Sequence, residues 1–526
     1  MASAPSVPPI DDRERGARQA HGLVRRFLIV FAFAWIVCTA ITSAWALTTP
    51  LAAAPDEPAH IVKAASVARG QLVGPSTPKG NVVQVPSYIA WTNNQTCTAF
   101  TETVTADCVT QVPGDPTTLV DITTTAGLYN PLYYVLVGWP SLVFDDSTGI
   151  FAMRLMSALV CSFFLAVGFA LIATWRHRAL PIIAFLTAAT PVTLFLAGTI
   201  NPNGLEVTAM MAAVVGLLTI TTRQSAAPLW LPLSALVVGG VFAANTRGLS
   251  PLWLAMAIAA ALVLLPGRDL LALLKRRSVQ VTIVLVALGT AAAAAWLLGS
   301  NSLAMAVDPN APPPPYPHVG DAPIVGVAVI LDLTFYYGAQ MIGEFGWLDT
   351  PAPDAVFFIW PAVIGLLLLG AGVLLRGRRL VVAVLLMAAV VFVPALLQGV
   401  WVTSGGIIWQ GRYTLPLFAL MLLTIGALLA EHGSALGRSI QRRLVVILIA
   451  ALGFAQFLSY IGALRRYSIG DTGGSWLAMI TRPEWAPPGG MTLWLAVGVL
   501  TIGAACFGAA RLALRARAED ELVTVR

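Results

Sequence analysis

Twelve apolar runs, most of them near the length of a bilayer-spanning helix, divide this chain and leave it few possible folds. They cover approximately 27–49, 150–173, 179–197, 204–222, 228–245, 249–266, 279–299, 354–375, 379–400, 411–430, 443–463 and 491–512. A helix needs about 20 apolar residues to cross the hydrocarbon. Backbone amides in lipid must bond within their own segment, and these runs are too long and too evenly apolar for barrel strands. Of 526 residues, 57% are hydrophobic and only 11% charged, where a soluble domain carries roughly 25%. The expected fold is an all-α polytopic membrane protein of about 12 transmembrane helices. The first run lacks a convincing cleavage site and is expected to be a retained span.

The net charge of +6 does not point to nucleic acid, because the arginines sit in short clusters between spans. With the N-terminus inside, 22 of 31 basic residues fall inside and 17 of 25 acids outside, the usual orientation bias. Both termini are therefore expected in the cytoplasm. The scarcity of lysine (Lys63, Lys79 and Lys275) and the abundance of alanine point to a high-GC bacterial genome, hence to a bacterial inner membrane. The stretches Leu128–Phe144 and Ile324–Phe345 are rich in aromatics and glycine, and counting either alone inverts every loop beyond it. They are expected as re-entrant or surface-lying helices. The organisation expected is a cytoplasmic tail at 1–26 and a membrane domain at 27–466. A first extracytoplasmic loop fills 50–149 and a second fills 300–353. An outer loop and last span occupy 467–512, and a cytoplasmic tail 513–526.

Thr101–Thr105 and Thr117–Thr125 in the first loop look like short strands or irregular structure. In the second, Asp308–Ala311 and the four prolines at 312–315 favour a stiff extended segment. Cys38, Cys161 and Cys506 lie in apolar runs and read as packing residues. Cys97 and Cys108 share one polar loop, where an extracytoplasmic location implies a disulfide. No Walker or Rossmann motif appears, which argues against an ATP-driven pump.

Chemistry is most concentrated at Pro55-Asp56-Glu57-Pro58-Ala59-His60, just past the first span. Ionisable groups clustered at a bilayer surface are costly and usually functional. A carboxylate there can act as general base, or Asp56 and Glu57 can hold a divalent cation. One acid before proline suffices for a helix cap; a second acid and a histidine exceed that need. Arg154, Arg247 and Arg412 each stand at the outer end of a span and match a phosphate bidentately, or else snorkel to the headgroups. Arg465, Arg466 and Arg482 are looser candidates. Asn201, Asn203 and Glu206 follow as a polar turn running into a helix. They suit sugar hydroxyls, or equally a capped turn.

The acidic motif, with Tyr129-Asn130-Pro131-Leu132-Tyr133-Tyr134, Asn201-Pro202-Asn203-Gly204, Phe345-Gly346-Trp347-Leu348-Asp349 and Gln410-Gly411-Arg412-Tyr413-Thr414-Leu415-Pro416, resembles a bacterial membrane family known as domain of unknown function 2142. Asn203 departs from the pattern, where an acidic residue is more usual. That family looks like a distant member of the glycosyltransferase C superfamily, which uses lipid-phosphate-linked sugars. Asp56-Glu57-Pro58-Ala59-His60 is similar to the Asp-Glu-x-x-His pattern of protein mannosyltransferases. The resemblance implies Asp56 as base, with Glu57 and His60 supporting acceptor or metal. Arg412 and Tyr413, with Arg154, Arg247, Asn201, Asn203 and Glu206, are the expected substrate-binding residues. The partners implied are a polyprenyl-phosphate-linked sugar and an envelope glycan or protein acceptor. The competing readings are a transporter or flippase for a lipid-linked saccharide and a non-catalytic assembly factor.

Overall fold

The computed structural model describes residues 12–300, 316–433, 437–472 and 474–524. The segment 308–315, expected to be stiff and extended, lies outside them. Helix α1 (Asp12–Thr48) contains the first span and turns into the short α2 (Glu57–Ala68). A small antiparallel sheet follows, in the order β1 (Ser76–Thr77), β2 (Gly80–Pro86), β3 (Leu119–Thr124). Asn81, Val83 and Val85 are buried and Gln84 is exposed, the alternation of a sheet packed on one face. Strand β3 falls within Thr117–Thr125, while Thr101–Thr105 is irregular. Cys97 and Cys108 are disulfide-bonded in this loop.

Next come α3 (Pro131–Gly138), α4 (Ser147–Ala173), α5 (Ala179–Ala188), α6 (Pro191–Ala197), α7 (Pro202–Thr222) and α8 (Trp230–Ala244). Then follow α9 (Ser250–Leu264), α10 (Gly267–Leu274), α11 (Arg277–Gly299), α12 (Pro323–Asp332), α13 (Thr334–Gly343), and the two-stranded β4 (Glu344–Phe345) and β5 (Thr350–Pro351). The chain ends with α14 (Asp354–Leu374), α15 (Gly377–Gly405), α16 (Leu415–Leu428), α17 (Arg438–Ile469) and α18 (Met491–Thr524).

The protein is an all-α polytopic membrane protein. Among the described residues, 8 helices are long and apolar enough to cross, and up to 11 if each of 3 bent pairs is one span. All twelve apolar runs are helical, but four are not simple spans. α8 and α16 have 15 and 14 residues, short of the roughly 20 that cross unaided. α5 and α6 are bent by 62° and α9 and α10 by 119°. The causes are local: Pro191 lacks an N–H, and α6 restarts on the Thr190 hydroxyl, which accepts from Thr193 N at 3.1 Å. Pro266, which also lacks an N–H, stands at the N-cap of α10 without a side-chain cap.

The third bent pair, α12 and α13, is broken by 59° and occupies the Ile324–Phe345 stretch. Gly320 N donates to Thr403 O at the end of α15, and Trp347 Nε1 donates to Ala52 O just past α1, both at 3.0 Å. Asp56, past α1, is ion-paired with Arg412, past α15, so α1 and α15 end on one face. The chain on both sides of the α12–α13 pair is bonded on that face. Leu128–Phe144 forms α3 and a 3₁₀ turn at Trp139–Leu142; α3 is about 12 Å long, too short to cross.

Helix α7 is the centre of the bundle, with 89% of its span buried against 17% for α11 and α18. Close approach there needs Gly204, where a Cβ would stand 2.6 Å from Leu196 O. The α1–α4 contact carries a polar pair, Thr42 to Ser162, at 3.0 Å.

One prediction tests whether this pair crosses. In a variant with Cys38, Cys161 and Cys506 replaced by serine, single cysteines at Asp321 and Asp354 flank it. Both should react with an impermeant maleimide from the same side of sealed vesicles. Labelling from opposite sides would show that the pair crosses.

Candidate functional site

Glu57 and Arg154 form a fully buried ion pair, each side chain 0% exposed. Arg154 Nε donates to Oε1 at 2.7 Å and Nη2 to Oε2 at 2.5 Å. Its remaining N–H groups donate to Ala46 O at 3.0 Å, Thr49 O at 2.5 Å and Pro50 O at 2.8 Å. All five guanidinium donors are thus used within the protein. Glu57 Oε1 also accepts from Ile200 N at 3.0 Å. The pair therefore ties the end of α1, α4, the start of α2 and the turn before α7. Arg154, expected to bind phosphate, has no donor left to do so, and Glu57, expected to be catalytic, is sealed off. Both expectations are corrected, because burial forces each charge to use all its hydrogen bonds internally.

Asp56 stands differently. It occupies the N-cap of α2 with φ 60°, a left-handed conformation, and its side chain makes no capping bond. Its carboxylate is 48% exposed and is held by Arg412, whose side chain is 5% exposed. Left-handed non-glycine residues are uncommon and collect at functional sites. Arg412 reaches this point because α15 stops at Gly406 (φ 67°) and the chain resumes as a 3₁₀ turn, Gly411–Tyr413, before α16. Its Nη2 bonds Asp56 Oδ2, while Nη1 is buried with no hydrogen-bond partner.

A second group adjoins the first through Tyr413. The Arg247 guanidinium lies 4.3 Å from the Tyr413 ring centroid, and that of Arg412 lies 5.3 Å away. Arg247 also donates to Asn203 Oδ1 and sits 5.9 Å from the Tyr129 ring. Glu206 is buried and accepts from the Ser250 hydroxyl at 2.6 Å. Asn201 caps α7, its side-chain oxygen accepting from Asn203 N at 3.0 Å, and its Nδ2 donates to Pro55 O at 3.0 Å. Asn201 thus holds the acidic turn and is not offered to a ligand. Arg247, Tyr413, Glu206 and Tyr129 line a cavity of about 510 Å³ whose other walls are largely apolar, among them Leu128, Trp253 and Trp401.

His60 is buried, and its Nδ1 shares a hydrogen bond of 2.9 Å with the Tyr134 hydroxyl. Burial pushes its pKa down to about 3, with Arg247 and Arg412 adding and Asp56 opposing. It is a neutral packing residue of the loop core. Asp56 and Glu57 bond to separate arginines, and no three His, Cys, Asp or Glu side chains group for a metal ion among the described residues. The adjacent carboxylates do not fit a shared cation. Arg466 donates to Thr98 O, Thr101 O and Val104 O at 2.8, 2.8 and 2.7 Å, and Arg465 to Gly474 O at 2.7 Å. Both fasten loops, and Arg482 is exposed.

Sequence reasoning passed over Lys63, Ser250 and Asp349. Lys63 is buried on α2, donates to Leu72 O and Gly127 O, and is pushed down to about 8 by burial. Its signal was a lysine among apolar residues just past the acidic motif. Asp349 accepts from Phe100 N at 2.6 Å and joins the two large loops; it was visible only as part of an aromatic motif.

Long apolar helices capped on one face by a paired Asp–Arg and a largely apolar cavity define a multi-pass membrane protein. The chain belongs to the family described as "Predicted membrane protein (DUF2142)", whose profile matches residues 40–421. No curated protein matches it. Among solved structures, ArnT from Cupriavidus metallidurans bound to undecaprenyl phosphate is similar at 13% identity, over 94% of this chain and 77% of that one, with a TM-score of 0.42. A score so low does not establish a common fold.

Two predictions follow from the geometry. Replacing Glu57 by Gln leaves the Arg154 charge buried without a counter-ion, so stability should fall by about 3–5 kcal/mol. A large drop in melting temperature in detergent checks this, and Asp56→Asn should show no comparable drop. His60 has a folded pKa below its unfolded value, so the unfolded chain binds the extra proton. Stability should therefore fall as pH drops from 6.5 towards 3, by up to about 1.4 kcal/mol per pH unit. His60→Asn should flatten that part of the melting curve's pH dependence.

Proposed function

We propose that this protein is a membrane glycosyltransferase. It transfers a sugar from a polyprenyl-phosphate donor to an envelope acceptor on the outer face of a bacterial inner membrane. The observation that carries the reading is the meeting of Asp56 and Arg412, an exposed carboxylate against a buried guanidinium with one nitrogen unpartnered. The outer placement rests on the distribution of basic residues along the sequence.

In this reading Asp56 removes the proton from an acceptor hydroxyl. The oxygen bonds to the anomeric carbon as the bond from that carbon to the phosphate oxygen breaks. Negative charge then grows on the departing lipid phosphate, where Arg412 is placed to receive it. Nη1 of Arg412 has no internal partner, so turning it from its buried position toward the phosphate breaks no hydrogen bond. Arg247, stacked on Tyr413, stands one ring further along at the edge of the cavity. A site with apolar walls and a few convergent polar groups suits a ligand with a charged head and a hydrocarbon chain.

A transporter or flippase would carry its charged groups near the midplane on broken helices. Here Asp56, Arg412 and Arg247 gather beyond the helix ends on one face, which favours the enzyme.

Asp56→Asn tests the carboxylate without disturbing the turn, because Asn adopts the left-handed conformation as readily as Asp. With a lipid-linked donor and purified protein, transfer should fall by a factor of at least about 100, with the melting temperature retained. Arg412→Gln should cost a similar factor. Unchanged turnover in Asp56→Asn overturns the assignment, and donor translocation without bond cleavage supports the transporter instead.

A further inference from the structure

The opposite face of the bundle holds a second charged pocket, far from Asp56. Helix α7 begins at Asn201 beside the acidic turn and ends at Thr222. Helix α16 begins beside Arg412 and ends at Leu428. The far ends of both helices line a pocket of about 570 Å³ that also collects Arg223, Arg268, Arg376, Arg378 and Arg379. Its acids are Asp269 and Glu431. Five cations against two anions leave a formal charge of +3.

The acids satisfy only part of the basic set. Asp269 lies 2.8 Å from Arg223 and 3.9 Å from Arg268, and Glu431 lies 3.3 Å from Arg379. Arg376 caps the end of α14 by donating to Val373 O and Leu375 O, both at 2.7 Å. Arg378 makes no hydrogen bond or ion pair among the described residues. The pocket also has an apolar border. Leu264, Pro266 and Leu428 line it, and α10, turned 119° from α9, exposes Leu271 and Leu274 beside it. A helix bent out of the span with exposed leucines lies along the hydrocarbon–headgroup boundary.

A basic pocket at that depth, with hydrocarbon-compatible walls, matches a phosphodiester attached to acyl chains. We propose that this pocket binds the headgroup phosphate of an anionic phospholipid in the leaflet opposite the Asp56 site. A soluble phosphate would be recognised by the same guanidiniums but would make no use of the leucine border.

The test counts bound lipid on the full-length protein in detergent by native mass spectrometry, titrating phosphatidylglycerol against phosphatidylcholine. Phosphatidylglycerol should be retained at concentrations at least tenfold lower. Arg376→Gln/Arg378→Gln/Arg379→Gln should weaken retention roughly fivefold per arginine removed. Arg442→Gln/Arg443→Gln, which removes charge from the start of α17 outside the pocket, should leave it unchanged. If the triple variant does not fold, Arg378→Gln alone breaks no internal bond and should still weaken retention about fivefold. Equal loss in the Arg442/Arg443 control, no loss in the pocket variants, or displacement by equimolar inorganic pyrophosphate would each overturn the proposal.

Discussion

The fold around the site hangs on a buried charge that cannot be left alone. Arg154 projects from α4 into the buried interior, so every one of its donors must find an acceptor. It takes three carbonyls at the end of α1 and both oxygens of Glu57. Those bonds stop α1 and fix where α2 begins, and Glu57 draws in the turn before α7 through Ile200. Breaking such a pair is expensive, while its net contribution to stability over an apolar replacement is small. What it gives this chain is one defined arrangement of four segments. Asp56 is the residue next to Glu57, and with Glu57 pinned inward its own carboxylate is turned out toward Arg412.

The spans were legible because hydrophobicity over about 20 residues is a local property. Their interruptions were less so. Pro191 and Pro266 mark the breaks in the α5–α6 and α9–α10 runs, yet the composition on either side stays apolar and reads as continuous. The chain between α15 and α16 shows the same effect: a run expected at 411–430 begins with a 3₁₀ turn, and that turn is what aims Arg412.

Arg154 and Arg412 could not be separated by sequence. Each is one arginine at the end of an apolar run. The difference lies in what each meets across 97 and 356 residues of chain: one is saturated by carbonyls and a buried glutamate, the other keeps a nitrogen unpartnered. The second acid and the histidine of the motif looked like more than a cap needs. The surplus is structural, since Glu57 anchors and His60 packs on Tyr134. Asp56, which breaks the local backbone rule with a positive φ and forgoes its cap, is the one acid of the motif left half exposed. Such conflicts between local preference and observed conformation concentrate where function is at stake.

The two arginine–acid pairs also differ in when they can form. Glu57 and Arg154 are 97 residues apart and are both present once the second long span has been made. Asp56 must wait for a partner 356 residues further on. At synthesis rates of about 5–20 residues per second, that interval is roughly 20–70 s. The scaffold pair therefore closes early, while the half-exposed carboxylate of Asp56 stays without Arg412 through most of the chain's insertion. A product truncated before Arg412 would carry the anchored turn and lack the guanidinium, so the Asp56–Arg412 pair reports that about four-fifths of the chain has arrived.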